Sequence, residues 1–192
     1  MKHNLFFIGV IVIYSINYTL LFSQDNFPVP LKDNSIYYEE VVNVDSLLKQ
    51  NDLFSRAKLW VAQRYVTTAT YNPIQLEDKD NGIIIIRISF GFTSSFFIHE
   101  YHVTVHCVGK IQVKDGRYRY TFSDFTYTEY SPTNKIVGTH GQAYSCDQMI
   151  IQSYSSNAKK LYYSYLSLID NNMQEMITSL KASLNEPLQD DF

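Results

Sequence analysis

Three histidines on one short stretch, His99, His102 and His106, have residue types and spacing that could do chemistry. Imidazoles ligate metals and move protons near neutral pH. The stretch His99–Val113 alternates in polarity and reads as a strand. His102 and His106 then share a face but stand about 13 Å apart. One metal needs its ligand nitrogens about 2 Å from itself. His99 has the opposite parity and faces away. The spacing therefore gives solvated histidines on an open face, each able to titrate or meet a ligand separately, and no shared metal site.

A second set, His140, Cys146 and Asp147, has the residue types of a thiol nucleophile and its base. Such a site needs the base within hydrogen-bond reach and a third group to orient it, and the spacing supplies neither. A hydrolase using the histidines with Asp124 or Asp147 meets the same objection. Gly138-Thr139-His140-Gly141 lacks the Gly-Lys-Ser/Thr ending of a phosphate loop. Glu39-Glu40 and Glu77-Asp78 are neighbours on strands, so each pair splits between two faces and is a poor acid–base couple. The sequence assigns no catalytic residue, no cofactor-binding residue and no metal ligand.

These residues need elements to place them, and the first element is one the mature protein is expected to lose. Lys2 and His3 precede an uncharged apolar run from Leu5 to Phe22, and Ser23-Gln24 leads into polar sequence. That is the order of a secretory signal peptide over residues 1–24. Ser15, Asn17 and Thr19 interrupt the run where a retained anchor should be most apolar. The expectation is export to the periplasm or the extracellular space, with no membrane span after cleavage and no cysteine at the junction for a lipid anchor.

Removing the leader takes one lysine and no acid, leaving 15 basic against 19 acidic residues and a net charge of −4. A mildly acidic chain without a basic run is a poor nucleic-acid binder, because phosphate neutralisation supplies most of that affinity. It also has no polybasic patch for an anionic membrane. Sixteen tyrosines against seven glycines point to a sheet with one wet face, since the ring buries while the hydroxyl reaches water. Cys107 and Cys146 would meet an oxidising compartment after export, so a disulfide between them is open, as are two unpaired thiols.

Residues 25–34 read as an extended lead-in, and residues 35–186 as one domain with a tail at 187–192. Ile36–Val44 is β-branched and aromatic, a strand. Asn51 can cap a helix beginning at Asp52. Leu53, Ala57, Trp60 and Val61 recur on its inner side, with Arg56, Lys58 and Gln63 facing away, and Thr67-Thr68-Ala69-Thr70 stopping it. Strands follow at Ile74–Asp78, Ile83–Phe92, His99–Val113 and Arg117–Tyr130. Residues 131–150 read as an irregular excursion. A long helix runs from about Asn157 to Leu184, with Tyr162, Tyr165, Ile169, Met173, Met176, Leu180 and Leu184 on one line. The order is β-α-β-β-β-β-α, an α+β fold.

Asp115-Gly116 is a strong hairpin signal. Centring a two-residue turn on it pairs Val113 with Tyr118, Ile111 with Tyr120 and Gly109 with Phe122, all on one face. Phe122 then covers the gap beside Gly109. Beyond that pair the parity breaks, and a β-bulge at Ser123-Asp124 restores it, setting Cys107 against Phe125 and Val105 against Tyr127. The other face carries His102, Thr104, His106, Lys110, Gln112, Arg119, Thr126 and Thr128, joined by Arg87 and Ser89 from the preceding strand. Two helices should therefore pack on one face of an antiparallel sheet, leaving a polar face open or covered only by the excursion.

Ala57-Lys58-Leu59-Trp60, Ile74-Gln75-Leu76-Glu77-Asp78-Lys79 with Gly82, and Lys114-Asp115-Gly116-Arg117-Tyr118-Arg119-Tyr120-Thr121-Phe122 occur in that order. Together they resemble a domain-of-unknown-function family with a TBP-like fold, found in exported proteins of Bacteroidetes. The resemblance covers roughly residues 35–130, with the Lys-Asp-Gly-Arg stretch its most specific part, and the final helix fits the same layout. It implies a β-α-β4-α arrangement and brings no activity, substrate or catalytic residue. The fold's namesake binds DNA, but a fold alone does not transfer function.

The expected function is that of a non-catalytic binding module for an envelope protein or glycan, needing no cofactor. Its candidate interaction face is Arg87, His102, Thr104, His106, Arg119 and Thr126. The alternative is a carrier of a small apolar ligand held between sheet and long helix, with Met173 and Met176 as an adaptable lining.

Overall fold

The computed structural model describes residues 27–65, 72–96, 98–132, 142–155 and 158–185. The expected leader, the Thr67–Thr70 helix stop, the Gly138–Gly141 loop and the tail at 187–192 lie outside them. The chain runs β1 (Leu31–Lys32), β2 (Ser35–Ile36), β3 (Tyr38–Asn43), α1 (Gln50–Arg64), β4 (Ile74–Asp78), β5 (Ile83–Phe96), β6 (His99–Lys114), β7 (Arg117–Tyr130), β8 (Tyr144–Ser145), α2 (Asp147–Ser155) and α3 (Lys159–Asn185). Strands β3-β7-β6-β5-β4 form an antiparallel sheet, with β8 added to β7. The β-α-β-β-β-β-α order is present as β3-α1-β4-β5-β6-β7-α3, an α+β fold.

Two departures concern its margins. The segment expected as an extended lead-in folds back, because Asp33 and Asn34 both adopt positive φ and let Leu31 pair with Ile36. That is the turn geometry asparagine and aspartate tolerate best. The excursion expected to be irregular ends in structure: Tyr144 pairs with Tyr127, and Asp147–Ser155 form a third helix among the described residues. This helix buries Met149 and Ile150 in the core.

The Asp115-Gly116 turn sets the register of the sheet. Val113 pairs with Tyr118, Ile111 with Tyr120 and Gly109 with Phe122. A Cβ on Gly109 would lie 2.9 Å from Phe122 Cε1, so the phenylalanine does fill the space beside the glycine. The bulge falls where the parity breaks. Val108 pairs with Ser123 and His106 with Thr126, and Asp124 takes φ 57° to absorb the extra residue. Ile84, Ile86, Ile88, Val103, Val105, Cys107, Ile111, Tyr118, Phe122 and Phe125 are buried on the helix side. Tyr165, Ile169, Met173, Met176, Leu180 and Leu184 of α3 meet them there.

The helices are tied to each other and to the sheet by polar contacts. Trp60 Nε1 donates to Ser179 Oγ at 3.1 Å. Lys181 Nζ lies 2.6 Å from Glu40, which also accepts from Tyr120 Oη at 2.6 Å. These two bonds hold the Glu40 carboxyl below its ordinary range. Arg56, expected to face away, is instead 7% exposed, and its Nη1 donates to Leu184 O at 2.9 Å. The last carbonyls of a helix have no intrahelical partner, so a guanidinium that reaches one is stabilised inside.

The start of α1 also differs from expectation. The helix begins at Gln50, ahead of the expected Asn51 cap. Its first amide, Gln50 N, donates 2.9 Å to Asp115 Oδ1, so a residue of the β6–β7 turn does the work of an N-cap. Gly116 N donates to Leu48 O, and Val44 N donates to Gly116 O, both at 2.9 Å. Gln50 Nε2 reaches Lys79 O and Asp80 O in the β4–β5 turn, and Gly82 O accepts from Val113 N. Three chain corners therefore close on one helix end.

Candidate functional site

All residues of the candidate face sit where strand parity puts them, and the pairing arranges them as a grid. Ser89, His106, Thr126 and Ser145 form one row across β5, β6, β7 and β8. Gly91, Thr104 and Thr128 form the next, then Thr93, His102 and Tyr130. In the other direction come Arg87, Val108 and Ser123, then Ile85, Lys110, Thr121 and Glu39. The rows end with Ile83, Gln112, Arg119 and Val41, then with Lys114, Arg117 and Asn43. Arg87, His102, Thr104 and Arg119 are exposed, and His106 and Thr126 half-buried.

The histidines act separately. Ser89 Oγ lies 2.7 Å from His106 Nδ1, and Thr93 Oγ1 lies 3.2 Å from His102 Nδ1. His102 Nε2 is 3.4 Å from Glu100, and its ring stacks on Tyr130 with centroids 6.1 Å apart. Burial, then the Arg87 charge, lowers the His106 pKa. His99 lies on the helix side, with its buried Nδ1 lacking a partner among the described residues. No group of three metal-ligating side chains is placed together among the described residues. Ser89 and His106 have the distance of a nucleophile and its base. No described hydrogen bond or ion pair brings a carboxylate to that imidazole, and the pair stands on a strand surface rather than in a cleft.

Cys146 is fully buried, and burial pushes its thiol well above the ordinary value, the direction opposite to that of an activated nucleophile. Burial pushes the Cys107 thiol up to about 12. The disulfide left open by the sequence is not formed: both are free thiols, and β7 stands between β6, which carries Cys107, and the end of β8, where Cys146 N donates to Phe125 O. Two interstrand steps of about 4.8 Å exceed the reach of a disulfide.

Two depressions of about 260 Å³ open at the margin of the sheet. One is lined by Val41, Gln112, Lys114, Arg117, Tyr118 and Arg119. The other sits at the bulge, where β3 has ended and β8 has not begun, and includes Asp124 and Asp147. Asp147 there is already engaged, accepting from Ser35 Oγ at 3.0 Å and from Ile36 N at 3.3 Å. Lys114 and Arg117, which carry part of the family resemblance, were not among the residues expected on the candidate face. Their parity with Gln112 and Arg119 around the same turn was the signal that places them on the open face.

Residues 38–128 match the family described as a domain of unknown function (DUF4468) with TBP-like fold. A crystal structure of a DUF4468 family protein from Bacteroides ovatus has a TM-score of 0.63 at 14% identity, covering 83% of this chain and 92% of that one. A TBP-like protein from Parabacteroides distasonis has a TM-score of 0.57 at 16% identity, covering 80% of this chain and 97% of that one. At these identities the likeness is one of fold. No curated protein matches the sequence.

Proposed function

The domain at residues 38–128 belongs to this family of unknown function with a TBP-like fold, and from that premise we propose that the protein is an exported binding module whose open sheet face engages an envelope protein or glycan. The observation that carries the reading is the grid itself. Arginine, lysine, histidine and threonine stand in register on rigid strands, on the face opposite the buried core. A site built on strands holds its groups with little entropy left to lose on binding.

Export rests on the apolar run Leu5–Phe22 and its polar exit, which suit passage to the periplasm or beyond. No described helix is long and apolar enough to cross a membrane. The carrier reading has less support, because the space between sheet and α3 is filled by Tyr165, Ile169, Met173 and Met176, all buried. The test is pull-down from envelope extract with wild type and with His102→Ala, Arg119→Ala and Thr126→Ala combined. The combined variant should lose most of the captured partner while keeping its thermal midpoint. Unchanged capture would remove this face from the function.

A further inference from the structure

We propose that the corner of the open face where β3, β7 and β6 meet binds the acidic groups of a carboxylated or sulfated polysaccharide. This rests on the reading of the open face as the working surface, and it names the ligand chemistry of one end. The chain carries net charge −3, yet this corner collects Lys110, Lys114, Arg117 and Arg119 within three successive rows. Lys114 and Arg117 are direct cross-strand partners, and like charges opposite one another destabilise a ladder. No ion pair among the described residues engages Lys110, Lys114 or Arg117. Of the nearby acids, Glu39 lies 3.7 Å from Arg119 and 3.6 Å from Lys32, and Asp115, in the turn between Lys114 and Arg117, pairs with Lys49 at 3.4 Å.

The corner is also shaped and partly ordered for an anion. Lys114, Arg117 and Arg119 border a depression of about 260 Å³. Gln112 Oε1 accepts from Arg119 Nη2 at 2.8 Å, which restrains the guanidinium beside the depression. Pockets for drug-sized ligands are about 300–1,000 Å³, so this one suits a single acidic group with its ring. The depression offers Val41 as its exposed apolar side chain, and Tyr118, its aromatic, is buried. A protein partner wants an apolar or aromatic anchor, and single-stranded nucleic acid wants stacking rings. Further along the same strands the face presents Thr121, Thr104, Thr126, Thr128 and the two histidines, whose donors and acceptors match sugar hydroxyls. A polymer carrying both acids and hydroxyls fits both ends of the grid.

The test is affinity electrophoresis of the protein through gels holding polygalacturonate, dextran sulfate or plain dextran. Either polyanion, or both, should retard the wild type, and plain dextran should not; the two arms distinguish carboxylate from sulfate. K114E/R117E should weaken the interaction roughly tenfold or more. K159E/K160E makes the same charge change at the exposed start of α3 and should leave it within about twofold. K114Q/R117Q, which neutralises without reversing, should fall between, and circular dichroism confirms that each variant is folded. Four results would overturn the proposal: no retardation, equal retardation by plain dextran, equal or tighter binding of poly-glutamate or DNA, or equal loss in K159E/K160E. If polyanions fail while the His102/Arg119/Thr126 variant still loses its partner, the open face stands and this inference falls.

Discussion

His106 occupies a position where burial and the neighbouring Arg87 both oppose protonation, so the imidazolium forms less readily in the folded protein than in the unfolded chain. The sign follows directly. Above the ordinary value of 6.5 the ring is neutral in both states and adds no pH dependence. As pH falls from there through the lowered native value, the unfolded chain takes the proton first and stability drops. His106→Gln should therefore flatten the stability profile over that interval. Urea midpoints at pH 7.5 and pH 5 check it: wild type should lose more between them than the variant does, and equal losses would refute the assignment. Arg56 shows the opposite limit of what single residues reveal. It sits among Leu53, Ala57 and Trp60 as a charged residue and reads as solvent-facing. Only the arrival of α3's end, where Leu184 O accepts from its Nη1, makes burial tolerable.

At the scale of elements, the β6–β7 turn is both a hairpin and a helix cap. Gly116 has φ 68°, and a Cβ there would lie 3.3 Å from Ser46 Cα. Gly116→Ala should cost about 1–2 kcal/mol from backbone strain. Gly82→Ala should cost more, because its φ is 65° and its Cβ would lie 2.5 Å from Val113 O. Asp115→Ala should lower the unfolding midpoint, and Asp115→Asn, which keeps an acceptor for Gln50 N, should lower it less. Urea titration of these variants gives the ranking, and equal costs for the two glycines would contradict the geometry. The hairpin, its register and the bulge are legible in sequence because each is set within a few residues of Asp115-Gly116. The start of α1 is not, because its cap lies 65 residues away. Helix α2 is missed for a related reason. A nine-residue helix has little periodicity of its own, and Met149 and Ile150 are buried only once α3 is in place.

For the whole molecule, composition and arrangement point in different directions. The sequence is acidic and has no basic run, so it argues against polyanions, but strand pairing gathers four of its sixteen lysines and arginines at one corner. Linear reading cannot see this, because Lys110, Lys114 and Arg119 come together only across a turn. The leader expectation belongs to this scale too. Protein recovered from its native host should begin close to Asp25, as mass spectrometry of the intact chain would show; a mass retaining residues 1–24 would count against cleavage. The clustering of three corners on α1 has one more consequence, for the order in which the chain can close. Among the described residues strand β3 pairs with β7 alone, Tyr38 against Phe122, and the first amide of α1 donates to Asp115. On a ribosome, β3 emerges well before the strand it pairs with, and α1, although it can already meet β4 and the β4–β5 turn, waits for the β6–β7 hairpin to receive the acceptor of its first amide. The β6–β7 hairpin is thus the part of the chain on which both β3 and the start of α1 are fixed, although it is made after either of them.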